Sequence, residues 1–545
     1  MAIKKIRIQN FKKFRNFTLD FTDGLNILVG ENGAGKSTIL EAINLALTGI
    51  VNGKHLSTEL TQYLFNKQTV DTYLENPQKN LPPKIIVELY LDPEKQPDFV
   101  GGINLENSNN ASGVTLTIEL KENDEYRELV KSGEIKSLPI EYYEYEWRTF
   151  ADKVITTRSI DVKSALIDSS TAKYQNGSDV YISRIIRQEL EDIERVRVAQ
   201  AHRTMIEFFG DNEHITKINT KLTETASISK KNITLSAELL SKNAWEASLV
   251  TCVDSVPFQY IGKGEQAIIK TGLALKNKKS QKASVMLIEE PENHLTYTKL
   301  NELLSFISES CEEKQIIVST HSSFVANKLG LDNLILLGSS SDTLKFDDLT
   351  AGTSKYFSKV AGYDTLRLVL SKASILVEGS SDELVVQKAY ALANGGKLPI
   401  EDGVDVITVN GLTFKRYLEI ADILKRKVAI VTDNDGDIPA LQNKYAQYLG
   451  DNLQDHIMIS YDGTDRTEKN GLEKYNYNTL ENLIILENGL DNLNEVLGQN
   501  RSDLDDLRKY MKNNKADTAL DIFLYEGDTK LKFPRYITEA IAHVK

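Results

Sequence analysis

Eight consecutive residues, Gly30-Glu31-Asn32-Gly33-Ala34-Gly35-Lys36-Ser37, satisfy G-x-x-x-x-G-K-[ST] and constrain the fold more than any other feature of the chain. The pattern works only as the turn between a buried strand and a helix. Its glycines let backbone N–H groups close around phosphate oxygens, its lysine reaches the outer phosphates, and its hydroxyl is placed for Mg²⁺. The flanks supply both elements: Leu25 to Val29 is an uninterrupted apolar run, and Ser37 to Leu47 carries Ile39, Leu40, Ile43 and Leu47 at helical spacing. That context disfavours the simpler reading, a Gly-rich turn before an ordinary helix. Asn32, Gly33, Ala34, Gly35, Lys36, Ser37 and Thr38 are therefore expected to bind the phosphates of a nucleotide, with Mg²⁺ on Ser37.

The surrounding pattern is α/β. Ile3, Ile6 and Ile8, then Phe17, Leu19 and Phe21, mark two strands about a basic turn, and residues 84–91, 113–120 and 139–147 add strands of an antiparallel subsheet. A long charged helix is expected over 180–209, with helical character continuing to about 245. Strands return at 285–288, 315–319 and 333–337, and the Ser/Gly/Asp/Thr-rich residues 338–354 read as loop or linker. Further strands at 374–377, 405–409 and 427–431, separated by helices, predict a second, smaller parallel α/β domain. The expected division is a nucleotide-binding head over 1–179 and 246–345, a helical insertion and candidate dimerisation region over 180–245, a linker over 346–369 and the second domain over 370–545.

A chain of 545 residues has room for two large domains or three to four ordinary ones. With 41% hydrophobic and 26% charged residues it has an ordinary globular balance. No apolar run approaches the ~20 residues needed to span a bilayer, and the start, MAIKKIRIQNFKKF, is not a secretory segment. A soluble cytoplasmic protein without membrane contact is expected. Cys252 and Cys311 offer neither a disulfide framework nor zinc spacing and are expected to be inert core thiols. The net charge of −13 argues against a generally basic coat, so nucleic acid would be met by local basic patches or by metal ions on carboxylates.

Two constellations of acids follow strands. The 285–288 run ends in Glu289-Glu290, where Glu289 would hold Mg²⁺ through water and Glu290 would act as general base on the attacking water. His321, just past the 315–319 strand, would sense the γ-phosphate. Taken alone, such acids are more often a solvated helix start and such a histidine structural; their order behind a phosphate loop is what gives them meaning. Farther on, Glu378 follows one strand and Asp433, Asp435 and Asp437 follow another. Ser380 or Ser381 can cap the helix after Glu378, with Asp382 and Glu383 in its first turn. Two acid-tipped strands make an oxygen-ligand site for Mg²⁺ or Mn²⁺. A calcium loop is the alternative, and the missing Glu at its twelfth position counts against it.

The strand pair ending in Asn10-Phe11, GENGAGKST, LIEEPENHL and VSTHSSF resemble the ABC-type ATPase heads of chromosome-maintenance, RecF-like and OLD (overcoming lysogenization defect) proteins, over about residues 1–335. The resemblance implies a signature loop that touches the γ-phosphate bound by the opposite subunit. Gly262-Lys263-Gly264-Glu265-Gln266 stands in that place without the usual serine, a plain capping loop being the alternative, and the Q-loop residue is Gln62 or Gln68. Heads of this kind work in pairs, which implies a homodimer or a dimer of dimers. The stripe Ile182, Ile185, Ile186, Leu190, Ile193 and Val196 would serve as a partner surface or as a face packed within its own subunit.

Glu378-Gly379 and Asp433-x-Asp435 resemble the Toprim fold of topoisomerases, primases and OLD nucleases over about 370–545, and an ABC head followed by Toprim is the OLD arrangement, as in the Gabija nuclease subunit. The resemblance implies metal ligation by Glu378, Asp382, Asp433, Asp435 and Glu481. It implies a catalytic lysine at Lys532, preferred to Lys530 because Phe533 follows it. The activity implied is that of an ATP-binding and hydrolysing, metal-dependent DNA endonuclease, an antiphage effector working alone, with a helicase, or with a retron reverse transcriptase and its DNA. Nucleotide at the head would control the Toprim site, with a sign left open. The alternative is a non-nucleolytic DNA-binding clamp ATPase whose second domain is a binding module; a topoisomerase or primase would need a further large domain. Lys425-Arg426-Lys427, Lys415-Arg416 and Arg535 are basic candidates for the DNA strand, or else solvated faces.

Overall fold

The computed structural model describes residues 2–545 apart from 134, 169–173, 176–177, 180–189, 226–234, 236–249, 277–282, 311–313, 339–342, 346–347, 354–355, 357–362, 410–413, 471–472 and 528–529. The chain packs as two compact units, Met1–Leu25 with Ser37–Ser319 and Asn26–Lys36 with Thr320–Lys545. It opens with β1 (Ile3–Phe11), β2 (Phe14–Asp20), β3 (Leu25–Gly30) and α1 (Lys36–Thr48).

In the first unit an antiparallel sheet runs in the order β7-β6-β5-β4-β1-β2, where β4 is Ile85–Leu91, β5 Ala111–Leu120, β6 Tyr143–Thr149 and β7 Val154–Ile155. In β2 the alternation is clear: Phe14, Phe17 and Leu19 are buried while Arg15, Asn16, Thr18 and Asp20 face water. A parallel set joins β8 (Ser164–Asp168), β9 (Val285–Glu289) and β10 (Gln315–Thr320), with Val285 opposite Ser164 on one side and Gln315 on the other. Here Val285 to Ile288 and Gln315 to Ser319 are buried throughout, as befits strands covered on both faces.

The charged helix α2 spans Asp192–Asp211, with Glu191 as its cap and Glu194 accepting from the Glu191 N–H at 2.7 Å; residues 180–189 of the expected helix lie outside the described residues. Ile182, Ile185 and Ile186 lie outside the described residues, and Leu190 precedes the helix. Of the remaining stripe, Ile193 and Val196 stand 55% and 54% exposed. A second helix follows at Glu213–Thr225, and α3 (Lys263–Lys276) returns the chain toward β9. Cys252 is exposed and so is not a core thiol, since the Cys252–Val253 and Val256–Pro257 strands pair only with each other; Cys311 lies outside the described residues.

In the second unit β3 pairs in parallel with β11 (Leu334–Leu337), which folds back on β12 (Thr343–Lys345), a strand inside the stretch read as loop. The remainder is built on an all-parallel sheet of order β14-β13-β15-β16, comprising β13 (Ala373–Val377), β14 (Val404–Thr408), β15 (Lys427–Val431) and β16 (Ile457–Ser460). Helices α4 (Ser380–Ala393), α5 (Leu480–Val496), α6 (Lys515–Leu524) and α7 (Arg535–Val544) supply much of its cover, packing Val385, Leu483, Ile522 and Ile537 against Ile375, Val377 and Val431. From β13 the chain steps outward to β14, then crosses back to β15 on the other side. The strand order therefore reverses between β13 and β15, which leaves a crevice beyond their carboxyl ends. Among the described residues no helix is long and apolar enough to cross a membrane.

Candidate functional site

The phosphate loop lies in the second unit as far as Lys36. Gly33 and Gly35 take φ values of 79° and 108°, open to glycine at no steric cost. At Gly30 a Cβ would stand 2.8 Å from the Leu337 carbonyl oxygen, so the close β3–β11 pairing requires glycine there. Lys36 is buried, and its Nζ donates to the carbonyls of Gly30 (2.7 Å) and Glu31 (3.0 Å), drawing the loop into a closed cradle. Because α1 begins at Lys36, Ser37 and Thr38 occupy the first turn, whose N–H groups have no intrahelical partners. His321 follows β10 and is exposed.

The acid pair and Gly264 lie in the first unit. Glu289 closes β9 opposite Ser319, and Glu290 is held at φ 42°, a left-handed conformation uncommon for its residue type. Its N–H donates to the Ser319 carbonyl (2.9 Å), and the Asn293 amide donates to its Oε2 (2.9 Å). Glu290 is thus not a solvated helix start, since the next helix begins only at Tyr297. Strain of this kind, over-determined by neighbours, is characteristic of functional positions. Gly264 sits in the first turn of α3, where a Cβ would meet the His294 carbonyl oxygen at 2.4 Å; close packing alone requires glycine there. Gln62 accepts from the Leu138 N–H (3.2 Å), whereas Gln68 is exposed.

At the switch point of the parallel sheet, Glu378 leaves β13 and Asp433 leaves β15. The Thr432 hydroxyl donates to Glu378 Oε1 (2.5 Å), and the Leu480 N–H donates to Asp433 Oδ2 (3.1 Å). Asp382 accepts from the Gly379 N–H (2.9 Å), making Gly379 the cap of α4 where Ser380 or Ser381 was expected: Asp382 at the third helical position takes over the capping. Burial, opposed by that N–H and reinforced by Glu378 and Glu481, pushes the Asp382 carboxyl up to about 6. Burial, with Asp382 and Glu378 adding to it, raises Asp433 well above the usual carboxylate range. Such mutual elevation fits a donor set built for a hard cation. Among the described residues no three such side chains converge tightly enough to enclose a metal unaided, so water or phosphate oxygens would complete the shell.

Asp435 is exposed and left-handed (φ 49°), on the far side of the buried Asn434, whose amide donates to the Asp462 and Thr464 carbonyls (2.7 and 3.0 Å). Asp437 accepts from the Ala440 N–H (3.0 Å) as a helix cap. Glu481 faces the cluster and is paired with Lys515 Nζ at 2.8 Å. Burial lowers the Lys515 ammonium, but Glu481, Asp433 and Asp382 outweigh it and hold it above its ordinary value. No sequence motif marks Lys515; the packing of α6 brings it in. Lys532 is exposed, and its described contacts are two backbone bonds to the Asn488 side chain, both 2.8 Å. Of the basic candidates, Arg535 is solvated beside Glu539 and Arg416 lies 4.3 Å over the Tyr356 ring, whereas Arg426 is buried and belongs to neither a DNA face nor a solvated one.

A family model described as "AAA domain" matches residues 5–365, and one described as "Overcoming lysogenization defect protein-like, TOPRIM domain" matches residues 369–435, which takes in Glu378, Asp382, Asp433 and Asp435. The chain is 26% identical over 200 residues to the DNA replication and repair protein RecF of Clostridioides difficile, covering 34% of this chain and 52% of that protein. It is 49% identical over 45 residues to the DNA double-strand break repair Rad50 ATPase of Methanopyrus kandleri, 8% of this chain and 5% of that protein. The chain thus spans about half the length of this RecF and a small part of this Rad50. Among solved structures, the SmcHead bound to the C-winged helix domain of ScpA is similar at 17% identity and a TM-score of 0.31, covering 62% of this chain and 94% of that one. An α/β ATPase head precedes a Toprim-like parallel sheet, the fold class expected.

Two outcomes follow from this geometry. Glu290→Gln keeps the side chain's shape and its Asn293 contact but cannot take a proton, so nucleotide binding should persist while phosphate release slows about 10²- to 10⁴-fold; release near the wild-type rate would place the base elsewhere. The second concerns pH. Carboxyls whose folded values are raised contribute stability below the ordinary value near ~4 and lose it as pH rises through about 6, the value for Asp382. In EDTA, Asp433→Asn should therefore melt higher than wild type at pH 7.5, by about 2–4 °C for each ~1 kcal/mol relieved, with the gap closing toward pH 4. A variant that melts lower at pH 7.5 would contradict this.

Proposed function

The chain belongs to the AAA-domain family and carries an OLD-like TOPRIM domain behind its ATPase part; on that premise we propose that it is an ATP-hydrolysing, divalent-metal-dependent DNA endonuclease of the OLD type. The observation that supports this most is the gathering of Glu378, Asp382, Asp433 and Glu481 about the switch point, an arrangement that costs stability and that a DNA-binding clamp would not use. Mg²⁺ or Mn²⁺, when bound, supplies activation of water and offsets charge on the scissile phosphate. Thr432 and the Leu480 N–H hold Glu378 and Asp433 in place for that ion. Asp435 extends the ligand set toward solvent. Lys532, with Lys515 as a second ammonium, would stabilise developing negative charge or protonate the leaving oxygen.

In the head, Asn32 to Thr38 would bind the triphosphate, Ser37 and Glu289 its Mg²⁺, Glu290 the attacking water, and His321 the γ-phosphate. Gly264 would approach the nucleotide of a second subunit, giving a homodimer or dimer of dimers. The exposed Ile193, Val196, Met205 and Phe208 of α2 suit such an assembly. The role is that of an antiphage effector with DNA as substrate, acting alone or with a helicase or a retron reverse transcriptase. We keep residues 370–545 as the nuclease domain and 180–245 as the insertion.

Purified protein should nick or cut supercoiled plasmid with Mg²⁺ or Mn²⁺, and Glu378→Ala and Asp433→Ala should abolish this while preserving the circular dichroism spectrum; undiminished cutting by both variants would sink the assignment. Light scattering should give a mass of two or four chains, and a monomer at micromolar concentration with and without ATP would refute the paired heads.

A further inference from the structure

At the opposite end of the two acid-tipped strands lies a guanidinium that neither chemistry uses. Arg426 immediately precedes β15. Lys425, at φ 51°, closes the Phe414–Ile423 helix in the left-handed conformation, and the Arg426 N–H returns to the Ala421 carbonyl at 2.8 Å. The turn drives the Arg426 side chain inward until it is 3% exposed. There Nη1 donates to the Glu31 carboxylate and to the Ser371 carbonyl (3.3 Å), and Nη2 donates to the Val369 carbonyl. Val369 and Ser371 lie just ahead of β13.

One buried cation therefore joins three points: the second residue of the phosphate loop, the entry to β13 and the entry to β15. Glu31 is held from two sides, its carbonyl by Lys36 Nζ at 3.0 Å and its carboxylate by Arg426. Nε of Arg426 is buried without a hydrogen-bond partner among the described residues, which makes the guanidinium still more dependent on Glu31 for counter-charge. The phosphate loop packs in one compact unit with the Toprim sheet, as such a tie requires.

We propose that the Glu31–Arg426 pair is the link through which occupancy of the phosphate loop is felt at the acid crevice, with Arg426 a positioning residue for both sites. A triphosphate that draws the Lys36 ammonium toward itself weakens its hold on the Gly30 and Glu31 carbonyls, and the Glu31 carboxylate moves with the loop. A guanidinium in a low-dielectric interior follows its counter-charge, carrying the carbonyls of Val369 and Ser371. β13 and β15 are adjacent and hydrogen-bonded from Ala373↔Lys427 to Leu376↔Ile430, so a displacement at their entries reaches Glu378 and Asp433 as a shift of one ladder. A ligand acts on an equilibrium only through differential affinity, and here the difference is a charge–charge contact made in one state and loosened in the other.

The functional output of this link rests on the nuclease reading, but its physical core does not, and the test separates them. Arg426→Met keeps the stem and removes the charge; Glu31→Gln breaks the pair from the other side and guards against a variant that fails to fold. Amide hydrogen exchange over residues 369–378 and 424–433 should change in the wild type when a non-hydrolysable ATP analogue with Mg²⁺ is added at saturation. The change should vanish in both variants although a fluorescent analogue still binds. The ratio of plasmid cleavage with and without nucleotide, roughly 5- to 150-fold for an ordinary coupling, should fall to within about twofold of unity in both. A wild type that cuts no DNA would defeat the nuclease reading and leave the exchange measurement to decide the link. Folded variants that keep the wild-type nucleotide response, or a wild type whose exchange in these segments ignores nucleotide, would overturn it.

Discussion

A parallel strand covered on both faces can offer chemistry only beyond its ends, and both halves of this protein are organised by that constraint. Ile375, Leu376, Ala429 and Ile430 are fully buried, as are Leu287 and Ile317, so the middles of these strands offer no side chain to a ligand. What remains accessible lies beyond the strand ends: Asn32 past β3, Glu290 after β9, Glu378 after β13 and Asp433 past β15. In the four-stranded sheet the reversal of strand order between β13 and β15 selects the crevice in which two such exits face each other.

The groups at these exits are held against their own preferences. Glu290 is kept left-handed by a backbone bond to Ser319, and Asp382 and Asp433 are ionisable groups in a place that favours their neutral forms. Neither condition stabilises the fold. Each is sustained by neighbours with no catalytic chemistry of their own: Asn293, Thr432, the Leu480 N–H and the buried Asn434 that ties its loop to residues 462–464. Asn293 stands three residues from the carboxylate it holds, within the same acid-bearing segment; the other contacts join parts of the chain 28 to 54 residues apart, which is why they carry no motif.

Arg426 illustrates how the same sequence pattern serves opposite ends. In Lys425-Arg426-Lys427 three cations suggest a face turned to water or to DNA. Yet a single left-handed residue at the end of a helix rotates the middle one into the interior, where Glu31 balances it. The run is polar in composition and buried at its centre because one side chain has a counter-charge waiting for it.

The phosphate loop, the acid-tipped strands and the order of the two domains were legible in the sequence, because each depends on residues within a few positions of one another: an apolar run, a turn chemistry, a helical period. Local order could not show that Gly379 caps α4 while Asp382 reaches back to it, since that choice is between neighbouring caps of similar strength. Nor could it show β16, the exposure of Cys252, or Lys515 beside Glu481. These follow from which distant segments pack together, a matter of volume and charge summed over the whole core. Sequence alone determined which chemistry the chain carries; tertiary packing decided which carboxylates share a crevice, which lysine reaches them, and that the arginine beneath them grips the phosphate loop.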